Sequence, residues 1–296
     1  MANTTNFSQA MEVQIRKWYG NAYDQEPVAY PKLFEVRNTN KKYDYLHSLA
    51  DFGLVPVKAE GASIASTDTK EGWKTTITQV TYALSFSVTL EMQKYEQYNL
   101  VQSMSKDLGV SMKQTEDTVS ADLFNNGFDS NYTFGDGKAM LTTDHPKLYG
   151  GTWQNEPTNP LDLSNEALEQ AKNDIRDFVS DRDKLINARP KLLVIPPELE
   201  WTAKKLLLSS NEPGNANNDI NPAKGFVDYV VNPYLTDPKA WFMLTSVSNG
   251  PQFLWSQKPT RQMTNDSKSL NIDYSVYAMF AVSCGDPRGA YGCPGV

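Results

Sequence analysis

The side chains best suited to metal binding or nucleophilic catalysis are few. The chain has two cysteines, Cys284 and Cys293, and two histidines, His47 and His145. A zinc site would need all four of these side chains or would have to recruit carboxylates, and the cysteine spacing matches no Cys-x-x-Cys pattern. We therefore interpret the cysteines as two reduced thiols, and we predict no metal ion and no cofactor.

Acid–base chemistry has one local candidate, the sequence Asp144-His145-Pro146. Its surroundings are rich in Gly, Asn, Asp and Pro and nothing nearby supplies a nucleophile, so we predict a turn instead of a catalytic pair. The chain contains no phosphate-binding glycine loop, dinucleotide fingerprint, GxSxG elbow or HExxH helix. We predict no catalytic residues and no enzyme. A carboxylate-dependent hydrolase stays open as an alternative, because pairs of Asp and Glu follow no spacing rule.

Composition and charge narrow the class of protein further. Of 296 residues, 40% are hydrophobic and 21% charged, which is typical of a folded globular protein. No stretch approaches the roughly 20 apolar residues of a membrane-spanning helix, and we expect a soluble, unexported protein with no membrane partner. The net charge of −7 argues against tight binding of nucleic acid. It remains compatible with a protein that lines a DNA-filled container.

The N-terminal region, residues 1–53, mixes short apolar groups with aromatics and shows no sustained periodicity. We predict an extended arm with at most short helices. Such an arm buries little apolar surface against itself, so it needs another surface to lie on.

Residues 54–90 carry a long period-2 pattern, which predicts a β-strand with one apolar face. The segment LVPVKAEGASIA is a candidate antiparallel partner, and STDTKEG has the composition of a hairpin tip. A two-stranded ribbon is marginally stable alone in water, so its apolar face needs cover from the chain or from a neighbour. The alternating apolar residues are Val80, Tyr82, Leu84, Phe86, Val88 and Leu90.

Two helices are predicted in the middle of the chain. The first covers residues 92–126, where apolar residues step by three and four positions along one stripe, with Gly109 in its interior. The second begins at the N-cap Ser164, where Leu163 and Leu168 occupy the positions of a hydrophobic staple. Its apolar face is predicted to continue to Leu185.

From residue 190 the pattern indicates a compact α/β module. A short apolar strand at 191–195 precedes a helix that begins at the prolines and runs to Leu208. The further predicted strands are 226–231, 241–247, 252–256 and a long period-2 strand at 272–282, followed by a turn-rich tail.

Four segments together resemble the Mu-like prophage major head subunit family and related tailed-phage major capsid proteins. They are ARPKLLVIPPELEWTAKKLLLSS, VVNPYLTDPKAWFMLTS, FLWSQKP and YSVYAMFAVSCGDPRGAYG. They cover roughly a third of the chain. The first half is similar to the family in its order of elements and not in its motifs.

The resemblance implies an α+β tailed-phage major capsid fold, which encapsulins and the herpesvirus capsid floor share. The expected parts are an N-terminal arm, an extended β-hairpin loop, a long spine helix, a peripheral domain and an α/β axial domain. Mapped onto this sequence, they are the arm at 1–53, the extended loop at 54–90, the peripheral domain at 91–187 and 269–296 with the spine helix at 92–126, and the axial domain at 188–268.

The function implied is that of a major capsid protein in the virion of a tailed phage, assembled in the bacterial host cytoplasm. Its implied partners are further copies of itself as pentamers and hexamers, a separate scaffolding protein, a portal, possible decoration proteins and packaged double-stranded DNA held non-specifically. The alternatives are an encapsulin-type compartment subunit, the hydrolase, or a tail or baseplate protein that forms rings or tubes.

The extended loop is the predicted site of contact between subunits. Its strand offers a row of apolar side chains, and its expected tip contains an aromatic residue of the kind that concentrates binding energy at interfaces. The predicted contact residues are Lys70, Trp73, Lys74, Val80, Tyr82, Leu84, Phe86 and Val88.

Overall fold

The computed structural model describes residues 4–89, 91–92, 95, 98–211, 219–265 and 271–296 of the chain. Within these ranges the α-helices are α1 (Thr4–Gln25), α2 (Tyr30–Leu33), α3 (Tyr98–Asn125), α4 (Asn165–Arg176) and α5 (Glu200–Leu208). The strands are β1 (Glu35–Asn38), β2 (Tyr43–Leu49), β3 (Glu71–Thr78), β4 (Val80–Val88), β5 (His145–Pro146), β6 (Thr152–Trp153), β7 (Pro190–Ile195), β8 (Asp228–Val231), β9 (Trp241–Thr245), β10 (Pro251–Asn265), β11 (Ile272–Cys284) and β12 (Ala290–Cys293).

The first sheet has the strand order β1-β10-β11-β4, with β1 parallel to β10 and the other pairs antiparallel. The predicted strands at 272–282 and from Val80 onward are both confirmed, as β11 and β4. Leu90, predicted to end the second of these, lies outside the described residues. One face of β11 is fully covered, and its buried side chains are Ile272, Tyr274, Val276, Ala278 and Phe280.

The second sheet has the order β12-β9-β7-β8 and forms the core of the predicted α/β module. Ile195 and Trp241 of this sheet are buried together with Ile175 of α4. The tail predicted to be rich in turns also contributes a strand, β12, which pairs with β9. Tyr291 and Cys293 of β12 are buried, but the glycines around them hide any periodic pattern in the sequence. The domain boundaries themselves remain a prediction.

Helix α1 corrects the predicted extended arm, because residues 4–25 form a 22-residue helix. It packs along α3 and over β11, where Ile15 is buried with Val101 and Tyr274, and Tyr19 with Leu108. Packing against α3 and β11 stabilises this helix. The apolar residues of α1 show only weak periodicity, so the sequence alone does not predict a helix here. The sequence predicts that the N-terminal region needs another surface to lie on. In the structure, α3 and β11 of the same chain provide that surface for α1.

Gly109 lies where α1 and α3 cross. A Cβ atom at this position would stand 2.9 Å from the carbonyl oxygen of Tyr19 and 3.2 Å from the backbone nitrogen of Tyr23. No side chain fits between the two backbones without shifting one of them. The glycine that lowers the helix propensity of α3 is therefore the residue that lets α1 approach it.

An extended β-hairpin is present, but its strands differ from those predicted. β3 pairs with β2 of the predicted arm, with Tyr43 opposite Thr78 and Leu49 opposite Glu71, whereas β4 pairs with β11. Residues 50–70, here named the ribbon loop, join β2 to β3 and contain no strand. The alternation in β4 revealed an apolar face but not its partner, because β11 is remote in sequence.

Both predicted central helices are present, and α4 begins at Asn165 directly after its predicted N-cap, Ser164. The described part of the first, α3, is 28 residues long, and residues 93–94 and 96–97 of the predicted helix lie outside the described ranges. Ser164 caps α4 by accepting a hydrogen bond from Ala167 N at 3.2 Å. Helix α4 ends at Arg176 and not near Leu185, because the chain turns back and Val179 bridges to Leu185.

Replacing Gly109 by alanine tests the helix crossing. Overpacking costs about 1–3 kcal/mol, while alanine gains about 1 kcal/mol in helix propensity. We expect a net loss of about 1 kcal/mol in the free energy of unfolding, measured by urea denaturation of the unassembled subunit. Gln114→Ala, at an exposed position of the same helix, is the control and should change little. Stabilisation by Gly109→Ala would contradict the close packing of α1.

Candidate assembly surfaces

His145 is a structural residue and not a catalytic one. Its side chain is fully buried, with Nδ1 2.6 Å from Asp136 Oδ2 and Nε2 3.1 Å from Asn155 Oδ1. The ring stacks on Trp153 with 4.4 Å between centroids. His145 begins β5, and the side chain of Asp144 turns away from it to bind Lys138 and Thr142. The two residues do not form an acid–base pair.

Asn155 joins the segments around this histidine. Its amide nitrogen donates to the carbonyl oxygens of Met140 at 2.8 Å and Ala290 at 3.1 Å. Its amide oxygen accepts from Thr142 N at 3.0 Å. Burial of these polar groups is tolerated because each one is hydrogen-bonded, and the result is a fixed irregular segment between α3 and α4.

The two cysteines are free and fully buried in different strands. Burial raises the pKa of both thiols, which keeps them protonated and unreactive. Cys293 donates to Leu161 O at 3.2 Å, so this thiol is part of the core. The interpretation of two reduced thiols agrees with these positions. Across the described ranges, no group of three or more His, Cys, Asp or Glu side chains could hold a metal ion.

The buried carboxylates of α3 hold helices together. Tyr23 of α1 donates its hydroxyl to Glu116 Oε1 at 2.6 Å, and Lys113 lies 3.7 Å from the other carboxylate oxygen. Asp117 accepts from the backbone nitrogens of Ala29 and Tyr30, both at the start of α2. Burial is the main reason that the pKa of each carboxyl is raised. These groups are engaged in packing, which leaves them unsuited to the hydrolase alternative.

Among the described residues, the ribbon loop carries four of the five most exposed large apolar side chains. Val55 is 93% exposed and Val57 98%, while Leu54 and Ile64 are each 83% exposed. β3, with eight residues, extends roughly 26 Å at about 3.3 Å per residue, and its pairing with β2 shifts register between His47 and Leu49. The ribbon therefore carries an apolar segment away from the first sheet.

The predicted contact residues of β3 lie below the loop and not at a hairpin tip. Trp73 is half-buried and lines a small cavity of about 20 Å³ with Thr75, Phe134 and Arg288. Lys74 is exposed and its ammonium group lies 3.7 Å from the centre of the Tyr45 ring on β2. Lys70 is exposed at the point where the loop meets β3. The structure thus places the aromatic residue against the chain's own body.

The predicted contact residues of β4 divide into covered and exposed positions. Tyr82 stacks on Phe280 at 4.5 Å and Phe86 on Tyr274 at 5.4 Å, and Val88 is fully buried. Val80 and Leu84 are 46% and 54% exposed. The chain's own sheet therefore covers much of the apolar face.

The sequence analysis does not predict that the apolar residues of the ribbon loop are exposed on the surface. The sequence does carry the signal, since Leu54, Val55, Val57 and Ile64 stand within one short segment. The sequence predicts a strand for this segment because an apolar run bounded by turn residues favours one. Pro56 and Gly61 within the segment, and Gly53 directly before it, oppose a regular strand.

A comparison with protein-family models decides the identity. The model of the phage capsid protein family matches residues 72–292, which is more than half of the chain. This chain belongs to the phage capsid protein family. It is a major capsid protein of the virion, and its family and fold are those of structural proteins and not of enzymes. The narrower resemblance to Mu-like head subunits remains a prediction.

Solved capsid structures share the fold of this capsid protein at low sequence identity. The bacteriophage JBD30 capsid is 16% identical with a TM-score of 0.57, over 72% of this chain and 92% of that one. The cyanophage P-SCSP1u capsid is 10% identical with a TM-score of 0.53, over 90% and 88%. A virus-like particle from Pyrococcus furiosus is 11% identical with a TM-score of 0.52, over 95% and 97%.

These likenesses confirm the predicted α+β tailed-phage capsid fold. No curated protein sequence matches this chain significantly. In the part of the chain that the structure describes, no helix has the length and apolar character needed to cross a membrane.

Replacing Glu116 by glutamine tests the buried carboxyl. The raised pKa means that the folded protein holds this proton more tightly than the unfolded chain. Its stabilising contribution is complete below the unfolded pKa of about 4.3, and it is lost as the pH rises through the folded pKa. We expect Glu116→Gln to match the parent in free energy of unfolding near pH 4 and to exceed it near pH 7.

Urea unfolding across this pH range measures the difference between the two proteins. Glu169→Gln, at an exposed position of α4, serves as the control and should show no such trend. A difference between Glu116→Gln and the parent that is independent of pH would contradict the role of burial.

Proposed function

We propose that this capsid protein assembles as pentamers and hexamers into an icosahedral shell around the double-stranded DNA of a tailed phage. Assembly takes place in the bacterial host cytoplasm. Family membership supports the role in a shell. The observation that carries the contact between subunits is the ribbon loop, an exposed apolar segment raised on a two-stranded ribbon.

Burial of the exposed apolar side chains of the loop would contribute favourable free energy to a contact with another subunit. Complete burial of a Val, Leu or Ile side chain contributes roughly 1.5–3 kcal/mol relative to exposure in water. Leu54, Val55, Val57 and Ile64 together supply enough apolar surface to favour a contact strongly. A loop that docks on a different part of the neighbouring subunit makes a head-to-tail contact, and such contacts generate rings and shells when they close.

The contact residues are divided according to their exposure. Lys70, Lys74, Val80 and Leu84 are exposed and remain part of the proposed contact surface. The ribbon loop becomes its centre. Trp73, Tyr82, Phe86 and Val88 contribute by shaping the base from which the ribbon leaves, because each is partly or fully covered by the chain itself.

Other partners are proposed because this chain shares its fold with the capsid of bacteriophage JBD30. The JBD30 capsid is decorated with minor capsid protein trimers, and a procapsid of that phage has the same fold. For this chain we propose a separate scaffolding protein, a portal and decoration proteins as partners during assembly. The packaged DNA is held by confinement and not by tight binding, since the subunit carries a net charge of −7.

An encapsulin-type compartment is the second candidate, because the fold is shared over 95% of this chain by a virus-like particle from Pyrococcus furiosus and not only by phage capsids. The content of purified particles separates the two functions. Double-stranded DNA and attached tails support the phage capsid, whereas a protein cargo without DNA supports the compartment.

Removing the ribbon loop tests its role in assembly. Ala50 N donates to Lys70 O at 3.3 Å, so residues 51–69 can be replaced by Asn-Gly, a two-residue turn suited to a hairpin. We expect a folded subunit, judged by circular dichroism and thermal melting, that no longer forms shells in sedimentation and electron microscopy. Normal shells would reject the proposed contact, and an unfolded product would place the loop in the subunit's own core.

A full-length variant separates apolar contact from loop length. Serine at positions 54, 55, 57 and 64 should also prevent assembly, because the loop keeps its length but loses its apolar side chains. The matched control replaces the exposed polar residues Ser63, Ser66 and Thr67 by alanine. Shells should form normally from the control.

DNA binding by unassembled subunits should be weak. An acidic protein neutralises few phosphates, so we expect non-specific binding that disappears at about 0.15 M salt. Fluorescence anisotropy with duplexes of two unrelated sequences measures both the affinity and its salt dependence. Salt-resistant or sequence-specific binding would show that confinement is the wrong description.

A further inference from the structure

Both ends of the ribbon loop meet a single side chain. Arg182 Nε donates to Asp51 O at 3.0 Å, and Arg182 Nη2 donates to Asp68 O at 2.8 Å. The same nitrogen donates to the hydroxyl of Tyr149 at 2.7 Å, and the guanidinium lies 4.2 Å from the centre of the Tyr149 ring. One planar cation therefore bridges the start of the loop, its end and the body of the subunit.

Neighbouring cations support the two ends of the loop separately. Lys184 Nζ lies 2.6 Å from Asp51 Oδ2 and donates to Phe52 O at 3.1 Å, at the start of the loop. At its end, Lys70 Nζ lies 5.0 Å from the centre of the Tyr149 ring. Arg182 differs from both lysines because it reaches the two ends at once.

The segment that carries Arg182 is itself fixed to the core. Ser180 N donates to Lys184 O at 2.8 Å, which closes a tight turn around Arg182. Arg288 donates to Val179 O at 2.9 Å and pairs with Asp181 at 3.2 Å, and both of these charged side chains are buried. Arg182 therefore connects the ribbon loop to a segment that the buried Arg288 holds in the interior of the subunit.

We propose that Arg182 is a positioning residue for assembly. It holds the ribbon loop in one orientation on the free subunit, so that the apolar residues of the loop face a neighbouring subunit before contact. This inference rests on the proposed role of the loop in assembly. Ordering a flexible segment in advance removes part of the entropy cost of binding. Lysine cannot replace arginine here, because a single ammonium group lacks the planar fork that reaches several acceptors.

The experiment measures the orientation of the loop and the rate of assembly on the same variants. Spin labels are placed on Ser63→Cys in the loop and Glu169→Cys on α4, both exposed, while the buried Cys284 and Cys293 stay unlabelled. We expect a narrow distance distribution in the parent subunit. Arg182→Lys should broaden the distribution about twofold and slow assembly about tenfold, with an unchanged melting temperature.

Two further variants make the result specific. Arg176→Lys, at an exposed position at the end of α4, is the matched control and should leave both measurements unchanged. Tyr149→Phe keeps the ring under the guanidinium but removes the hydroxyl acceptor, so it should broaden the distribution less than Arg182→Lys does. Tyr149→Phe also reports on the support of the loop if Arg182→Lys fails to fold.

An unchanged distance distribution in Arg182→Lys would overturn the proposal, and so would a broader one with unchanged assembly. The Asn-Gly replacement distinguishes this failure from failure of the proposed function. If the replaced chain also assembles normally, the loop itself has no role in assembly. If only Arg182→Lys assembles normally, the loop acts without being positioned in advance.

Discussion

An aromatic cluster between the two sheets determines the shape of the subunit. Phe124, at the end of α3, lies 5.2 Å from Phe242 of the second sheet and is buried with Phe253 and Phe280 of the first. Aromatic side chains bury large areas and prefer defined ring geometries, so this contact fixes one sheet relative to the other. The ribbon leaves from the strands beside this cluster. Its direction on the particle therefore depends on packing at a distance from the ribbon loop.

Buried polar side chains hold the irregular parts of the chain on this core. Asn155 fastens the segment between α3 and α4, Asp117 caps the first turn of α2, and Arg288 fastens the turn that carries Arg182. Each of these groups would be costly inside a protein without its partners. Residue types that elsewhere perform catalysis are used here to give loops one conformation. A subunit that must fit identical neighbours needs such precision in its loops as much as in its sheets.

The ribbon loop differs from the rest of the subunit because its apolar side chains are exposed to water on the isolated subunit. Exposed apolar segments of this kind mark surfaces that bind other proteins. The cations at positions 182 and 184 connect the loop to the body through backbone carbonyls and one carboxylate, and they leave its apolar side chains uncovered. In the proposed assembly, cohesion within the subunit and contact between subunits therefore use different atoms of the same loop.

The sequence by itself determined the local features: the alternating strands that became β4 and β11, the apolar stripe of α3, the cap at Ser164 and the lack of a catalytic set. Periodicity shows which face of an element is apolar, because helix and strand repeats are local properties of the chain. It does not show what covers that face. Only the tertiary structure shows that β4 pairs with β11 and that α1 is a helix packed against α3 at Gly109. It also shows that Trp73 is half-buried and that Val55 and Val57 are exposed. Those outcomes depend on burial against residues remote in sequence, where the competition among partners is decided by the whole fold.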